Sequence, residues 1–141
     1  MAQLPKKNQQ WIVAKKPATG IPSKDTWELK EVPIPDLQPG QILIKHLYIS
    51  VDPYLRVLLM DTHPNALKIG DLQHSGVVGE VIAKNQNDEF EIGDKVFRYD
   101  GWERYSISDG KDCRKINEKI APISTALGIL GMVRKSNNYT R

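Results

Sequence analysis

Short runs of apolar and alternating residues recur along the chain, each about the length of a strand, and proline and glycine separate them. Trp11 to Ala14 is the first run, broken by Pro17-Ala18-Thr19-Gly20. Trp27 to Val32 alternates large apolar with charged residues, which predicts a half-buried strand. Pro33 and Pro35 end it, because proline has no N–H for a ladder. Pro39-Gly40 signals a turn, and Gln41 to Ser50 (QILIKHLYIS) is the strongest strand in the sequence. The pattern then changes. Asp52 can cap and Pro53 fits a first helical position, which predicts a short helix near residues 52–60. After a polar stretch through Gly70-Asp71, Ser75 to Ala83 is strand-like, with Gly76 and Gly79 allowing close backbone approach or a kink. Glu91 to Phe97 predicts a tight turn into a strand, and Trp102 to Ile107 a further alternating strand. Pro122 to Met132 predicts a second short helix, followed by a polar tail over 133–141 without periodicity, expected to be disordered. The fold class that follows is mainly β, an irregular barrel or sandwich with two short helices.

Composition narrows the function classes. The 141 residues suffice for one domain with a hydrophobic core, and 40% hydrophobic with 26% charged residues is ordinary for a soluble globular protein. The formal charge of +3 is spread, with Lys6-Lys7 and Lys15-Lys16 among its few basic doublets, which argues against a nucleic-acid partner. No apolar run nears the roughly 20 residues that span a bilayer, and the N-terminus has no uninterrupted apolar stretch like that of a signal peptide. A single cysteine, Cys113, rules out a disulfide within the chain and fits a reducing cytoplasm. Cys113 lies between Asp112 and Arg114. Arg114 could lower its pKa, but the stretch reads as a solvent-side thiol without a paired base. His46, His63 and His74 lack the spacing of a metal site. No G-x-G-x-x-G, P-loop, H-E-x-x-H or G-x-S-x-G motif is present.

The densest chemistry lies in Ser50-Val51-Asp52-Pro53-Tyr54-Leu55-Arg56. Here a phenol and a guanidinium flank a strand-to-helix junction; the phenol can donate a hydrogen bond to a polarised carbonyl, and the guanidinium can bind phosphate. Spacing alone leaves a structural alternative open. In it, Asp52 caps the helix, Arg56 pairs with Asp52 at i,i+4, and Tyr54 packs on the core.

Asn8-Gln9-Gln10-Trp11, the segments 17–22, 32–39 and 40–45, and above all Tyr48 to Arg56 (YISVDPYLR) resemble the GroES-like N-terminal domain of the medium-chain dehydrogenase/reductase superfamily. Gly76 to Ala83, Phe90 to Val96 (FEIGDKV), Gly101-Trp102 and Pro122 to Met132 follow in the same order, so that the resemblance covers residues 8–132. It is nearest to the zinc-independent branch of prostaglandin, alkenal and NADPH-dependent oxidoreductases. Val51 and Asp52 stand near the position of the zinc members' catalytic cysteine, and His74-Ser75-Gly76 only partly matches their Gly-His-Glu, which implies that no metal is held.

The resemblance implies a GroES-like β-barrel and an activity in which NADPH reduces the C=C bond of an enone or enal, or a quinone, by hydride transfer. It implies Tyr54 as the catalytic residue, and Pro53, Tyr54, Arg56 and Met132 as cofactor-binding residues, with Arg56 fixing the loop and Met132 near the nicotinamide. It further implies residues 1–132 as the substrate-facing domain, a small α,β-unsaturated carbonyl or quinone as partner, and no nucleic acid or membrane partner. The nucleotide-binding Rossmann half of relatives, through which they largely dimerise, has no counterpart after Met132, so the chain alone is expected to be inactive. A GroES-like binding or scaffold module without catalysis is the alternative.

Overall fold

The computed structural model describes residues 3–128. Its elements are β1 (Lys7–Val13), β2 (Trp27–Pro33), β3 (Gln41–Ile49), a first 3₁₀ helix (Pro53–Leu59), β4 (His74–Asn85), β5 (Lys95–Gly101), β6 (Tyr105–Ser108), β7 (Arg114–Lys115) and a second 3₁₀ helix (Ile123–Leu127). The protein is mainly β. β1 and β2 form an antiparallel pair, and the other strands form one sheet in the order β6-β3-β4-β5-β7. Isolated bridges Gln10↔Glu103 and Ile12↔Leu72 tie the pair to the larger sheet, giving an irregular, open barrel.

β3 and β4 make the centre. Three successive β3 residues, Ile42, Leu43 and Ile44, are buried, so both faces of the strand are covered here. The register shift between Leu43 and Ile44 falls on β4, where Ile82 is passed over between Ala83 and Val81, so that Ile42 and Ile44 stay on one face of β3 and Leu43 on the other. Ile42 and Ile44 join Val81, Phe90 and Val96 in the apolar core. Burying each such side chain contributes roughly 1.5–3 kcal/mol. Gly79 lies against β3 so closely that a β-carbon there would overlap the Ile44 side chain and sit 2.8 Å from the Lys45 carbonyl oxygen. The missing side chain is what lets the two strands meet at this point.

Four expectations are corrected. Trp27–Val32 is a strand, but Leu29 is 48% exposed and only Trp27 and Val32 are partly covered, because the two-stranded pair leaves one face of β2 open. The strand expected over 102–107 begins at Tyr105. The Trp102 amide instead donates to Gln73 (2.6 Å) and the Arg104 amide to Gln9 (3.1 Å), so this stretch joins the outer pair to the sheet. The helix near 52–60 forms as a 3₁₀ helix with Asp52 at its N-cap, yet the Asp52 side chain bonds no helix amide. Cys113 is not solvent-side: it is half-buried and packs on the core, and burial pushes its thiol pKa up. Arg114 lies over the Phe97 ring, 5.1 Å from its centroid, and does not activate the thiol. The second helix is described through Leu127; the remainder of 122–132, including Met132, and the tail lie outside the described residues. No helix among the described residues is long and apolar enough to cross a membrane.

Part of the interior is polar. His46 Nε2 lies 2.8 Å from Ser106 Oγ and 3.3 Å from Asp100 Oδ2. Arg98 reaches Asp100 at 3.0 Å and Asp112 at 2.8 Å. Beside them Glu103 Oε2 accepts hydrogen bonds from Asn8 Nδ2 and Gln10 Nε2, both at 2.7 Å. Burial opposes ionisation of Asp100, but the His46 and Ser106 contacts and the Arg98 charge outweigh it and hold its pKa below the ordinary value. At Glu103 burial prevails over the Gln10 and Asn8 hydrogen bonds, and the pKa is raised.

The two groups act on stability with opposite signs. Asp100 contributes stability above its unfolded pKa of about 3.9, lost as pH falls through the lowered folded value. What Glu103 contributes is complete below its unfolded pKa of about 4.3, and is lost as pH rises through the raised folded value. Glu103→Gln keeps an oxygen for Asn8 and Gln10. It should therefore raise the urea midpoint at pH 7 and leave it unchanged near pH 4; equal midpoints at pH 7 would contradict this reading. Gly79→Ala should destabilise the fold by about 1–3 kcal/mol in the same assay, and a variant as stable as the parent would show that the β3–β4 contact is not tight.

Candidate functional site

Where β3 ends, the Ser50 amide donates to the Gly76 carbonyl on β4 at 2.8 Å. This bond holds the start of the SVDPYLR segment against the sheet. Ser50 Oγ donates to Asp52 Oδ2 at 2.6 Å, and the Leu55 amide donates to the Asp52 carbonyl at 3.0 Å, closing the first helical turn. Leu55 and Leu59 are buried and anchor the helix. Proline at the helix start fixes the backbone without losing a needed donor.

A 3₁₀ helix has three residues per turn, so Pro53 and Arg56 share a face while Tyr54 leaves on another. Pro53 and Arg56 line a cavity of about 290 Å³ together with Pro22, Trp27 and Trp102. The two indoles pack there with centroids 5.3 Å apart at 36°. Their N–H groups are taken, Trp27 by Gln73 Oε1 at 3.0 Å and Trp102 by Ser75 Oγ at 2.9 Å, so the indoles turn only carbon surface to the cavity. Tyr54 lines a smaller cavity of about 50 Å³ with Ser50, Gly76, Phe97, Tyr99 and Leu127. Pro53 and Arg56 are therefore brought together, Tyr54 is separated from them by the turn, and Met132 lies outside the described residues.

The structural alternative for this segment does not hold. The Asp52 carboxylate accepts from Ser50 and makes no side-chain cap. The 3₁₀ turn does not set residues 52 and 56 in line, and they form no ion pair. Tyr54 is 45% exposed and does not pack on the core.

Tyr99 completes the smaller cavity, and no sequence signal pointed to it. Its hydroxyl lies 3.1 Å from that of Tyr54, 45 residues away in the chain. Burial raises its phenol pKa, with the Tyr54 hydrogen bond and the nearby Tyr54 and Asp52 charges acting in the same direction, so Tyr99 stays protonated through neutral pH. Finding it would have required the β4–β5 register, which pairs Gly76 with Tyr99. Among the described residues no group of three or more His, Cys, Asp or Glu is placed to hold a metal ion.

Residues 9–116 match the family described as the N-terminal domain of oxidoreductase. The chain is 34% identical to the NADPH-dependent curcumin reductase of Escherichia coli over 134 residues, covering 94% of this chain and 38% of the relative. It is 36% identical over 127 residues to bovine (Bos taurus) prostaglandin reductase 1, covering 88% of this chain and 36% of the relative. Among solved structures, CurA from Vibrio vulnificus superposes with a TM-score of 0.84 at 32% identity, over 93% of this chain and 39% of that one. The same protein in complex with NADPH gives a TM-score of 0.78 at 34% identity, over 88% and 37%. The chain thus spans somewhat more than a third of the length of these relatives. With the family's pattern covering most of its length and the fold shared, the chain belongs to the family of N-terminal domains of oxidoreductases.

Proposed function

We propose that residues 1–132 are the substrate-facing domain of an NADPH-dependent reductase acting on the activated C=C bond of an α,β-unsaturated carbonyl compound or on a quinone. The single observation that carries this reading is the exposed Tyr54 phenol, held beside the sheet by the Ser50–Gly76 hydrogen bond in a domain of this family. The names of the relatives, which include a curcumin reductase, prostaglandin reductases and the 2-alkenal reductase of Nicotiana tabacum, support the substrate class.

In this reading Tyr54 donates its O–H to the substrate's carbonyl oxygen and stabilises the negative charge that develops there as the C=C bond is reduced. A fixed donor aimed at developing charge is among the strongest catalytic devices a protein surface offers. Pro53 and Arg56 form the neighbouring edge toward the cofactor. Arg56, unpaired with Asp52, offers its guanidinium to an anionic or carbonyl group, and Met132 is proposed as a further contact. Bound NADPH supplies the hydride.

The described residues fit only the reacting end of a nucleotide. The two cavities lined by the SVDPYLR segment are about 290 and 50 Å³, and no glycine-rich phosphate loop is present in the sequence. Holding the rest of the cofactor is assigned to a nucleotide-binding half beyond these residues, and the chain by itself is proposed to be inactive. A single half-buried cysteine is consistent with a cytoplasmic location.

The test joins this chain through Met132 to the remaining part of the E. coli curcumin reductase and follows NADPH absorbance with benzylideneacetone as substrate. The chimera should consume NADPH, and Tyr54→Phe should lower its kcat/KM by on the order of 10²-fold. A Tyr54→Phe chimera as active as its parent would remove Tyr54 from the site.

A further inference from the structure

We infer that Tyr99 is a positioning residue for Tyr54: its hydroxyl donates to the Tyr54 oxygen, leaving the Tyr54 proton to point at the substrate. This rests on the reading of Tyr54 given above and adds a residue that the family pattern does not supply.

Three contacts fix the arrangement. The Ser50 amide is bound to the Gly76 carbonyl at 2.8 Å, Gly76 sits opposite Tyr99 in the β4–β5 ladder, and the two phenol oxygens are 3.1 Å apart. Gly76 is part of the device. A β-carbon there would lie 3.3 Å from both Phe97 and Leu127, in the space that these two side chains and the cavity now share. Phe97 and Tyr99, two residues apart on β5, stand on one face of the strand, so Phe97 forms the wall behind the pair.

A pair of phenols has two protons and one mutual hydrogen bond. When a ligand oxygen accepts from Tyr54, the Tyr54 proton is no longer available to Tyr99, and the pair can close only with Tyr99 as donor. Donation into the Tyr54 oxygen polarises its O–H and strengthens the bond it makes outward. It also removes rotational freedom from the Tyr54 hydroxyl before the ligand arrives. Both rings are nearly half exposed, at 45% and 47%, so a small carbonyl compound can reach the pair.

The experiment uses the full chain and p-nitrophenolate, whose phenolate oxygen stands in for an enolate. Affinity is measured for the parent, Tyr54→Phe, Tyr99→Phe and the double variant, and the ζ-carbon shift of ¹³C-labelled Tyr54 is recorded without ligand. Tyr99→Phe should weaken binding about fivefold and shift the Tyr54 ζ-carbon. The double variant should bind no more weakly than Tyr54→Phe, because Tyr99 acts through Tyr54. Tyr48→Phe, which removes another exposed phenol, should leave both readouts unchanged.

Additive losses in the double variant would show that Tyr99 touches the ligand itself and overturn the inference. A Tyr99→Phe variant with parental affinity and an unmoved Tyr54 resonance would also overturn it, while a loss confined to Tyr54→Phe would leave the reductase reading standing. Binding indifferent to both tyrosines would sink the reductase reading instead; the ζ-carbon shift would still decide whether Tyr99 donates to Tyr54.

Discussion

The hydrogen bond from the Ser50 amide to the Gly76 carbonyl is the constraint on which the site depends. It lies where β3 gives way to the first 3₁₀ helix, and it ties that helix to the central strand of the sheet. Everything that follows in the chain, including the Pro53 turn, the exposed phenol of Tyr54 and the buried anchors Leu55 and Leu59, is placed relative to this point. β4 can serve as the reference because it pairs along most of its length with both β3 and β5. Its two glycines have separate tasks. Gly79 lets β3 come close, and Gly76 leaves room for the Phe97 ring and the Leu127 side chain.

The polar interior and the site are coupled through β5. Val96, Arg98 and Asp100 alternate with Phe97 and Tyr99, so one face of the strand enters the core and the charged cluster while the other faces the Tyr54 cavity. A slip of one residue would exchange these faces, sending Arg98 and Asp100 outward and Tyr99 into the core. The contacts of Asp100 with His46 and Arg98 and of Arg98 with Asp112 exist only in the observed register. A buried charged cluster is weak evidence for stability by itself, and its use as a register device is the better supported role. In this register Tyr99 lies beside Tyr54.

Much of this was legible in the sequence, for identifiable reasons. The Gln41–Ile49 strand, the turn before Lys95 and the helix after Asp52 carry local signals in apolar runs, glycine and proline, and the structure keeps them. The SVDPYLR segment stood out because its residue types are chemically dense. What escaped was non-local. The exposed outer face of β2 depends on how many strands pair with it, which alternation within WELKEV cannot reveal. The joining of His46 to Asp100 and of Asn8 to Glu103 spans more than fifty residues in each case, and those residues read individually as ordinary polar positions. Tyr99 was invisible for the same reason: only the pairing of β4 with β5 sets it opposite Gly76 and within reach of Tyr54. Met132 lies outside the described residues, so its placement rests on the resemblance alone.

The central claim is that the substrate's oxygen meets this domain at the phenol pair and not in the larger cavity between Trp27 and Trp102. The most direct measurement is a map of NMR shift changes in the full chain, labelled at tyrosine and tryptophan, on titration with p-nitrophenolate. The account predicts the largest changes at Tyr54 and Tyr99, with smaller ones at the two indoles. Changes centred on Trp27 and Trp102, with the Tyr54 and Tyr99 resonances unmoved, would contradict it.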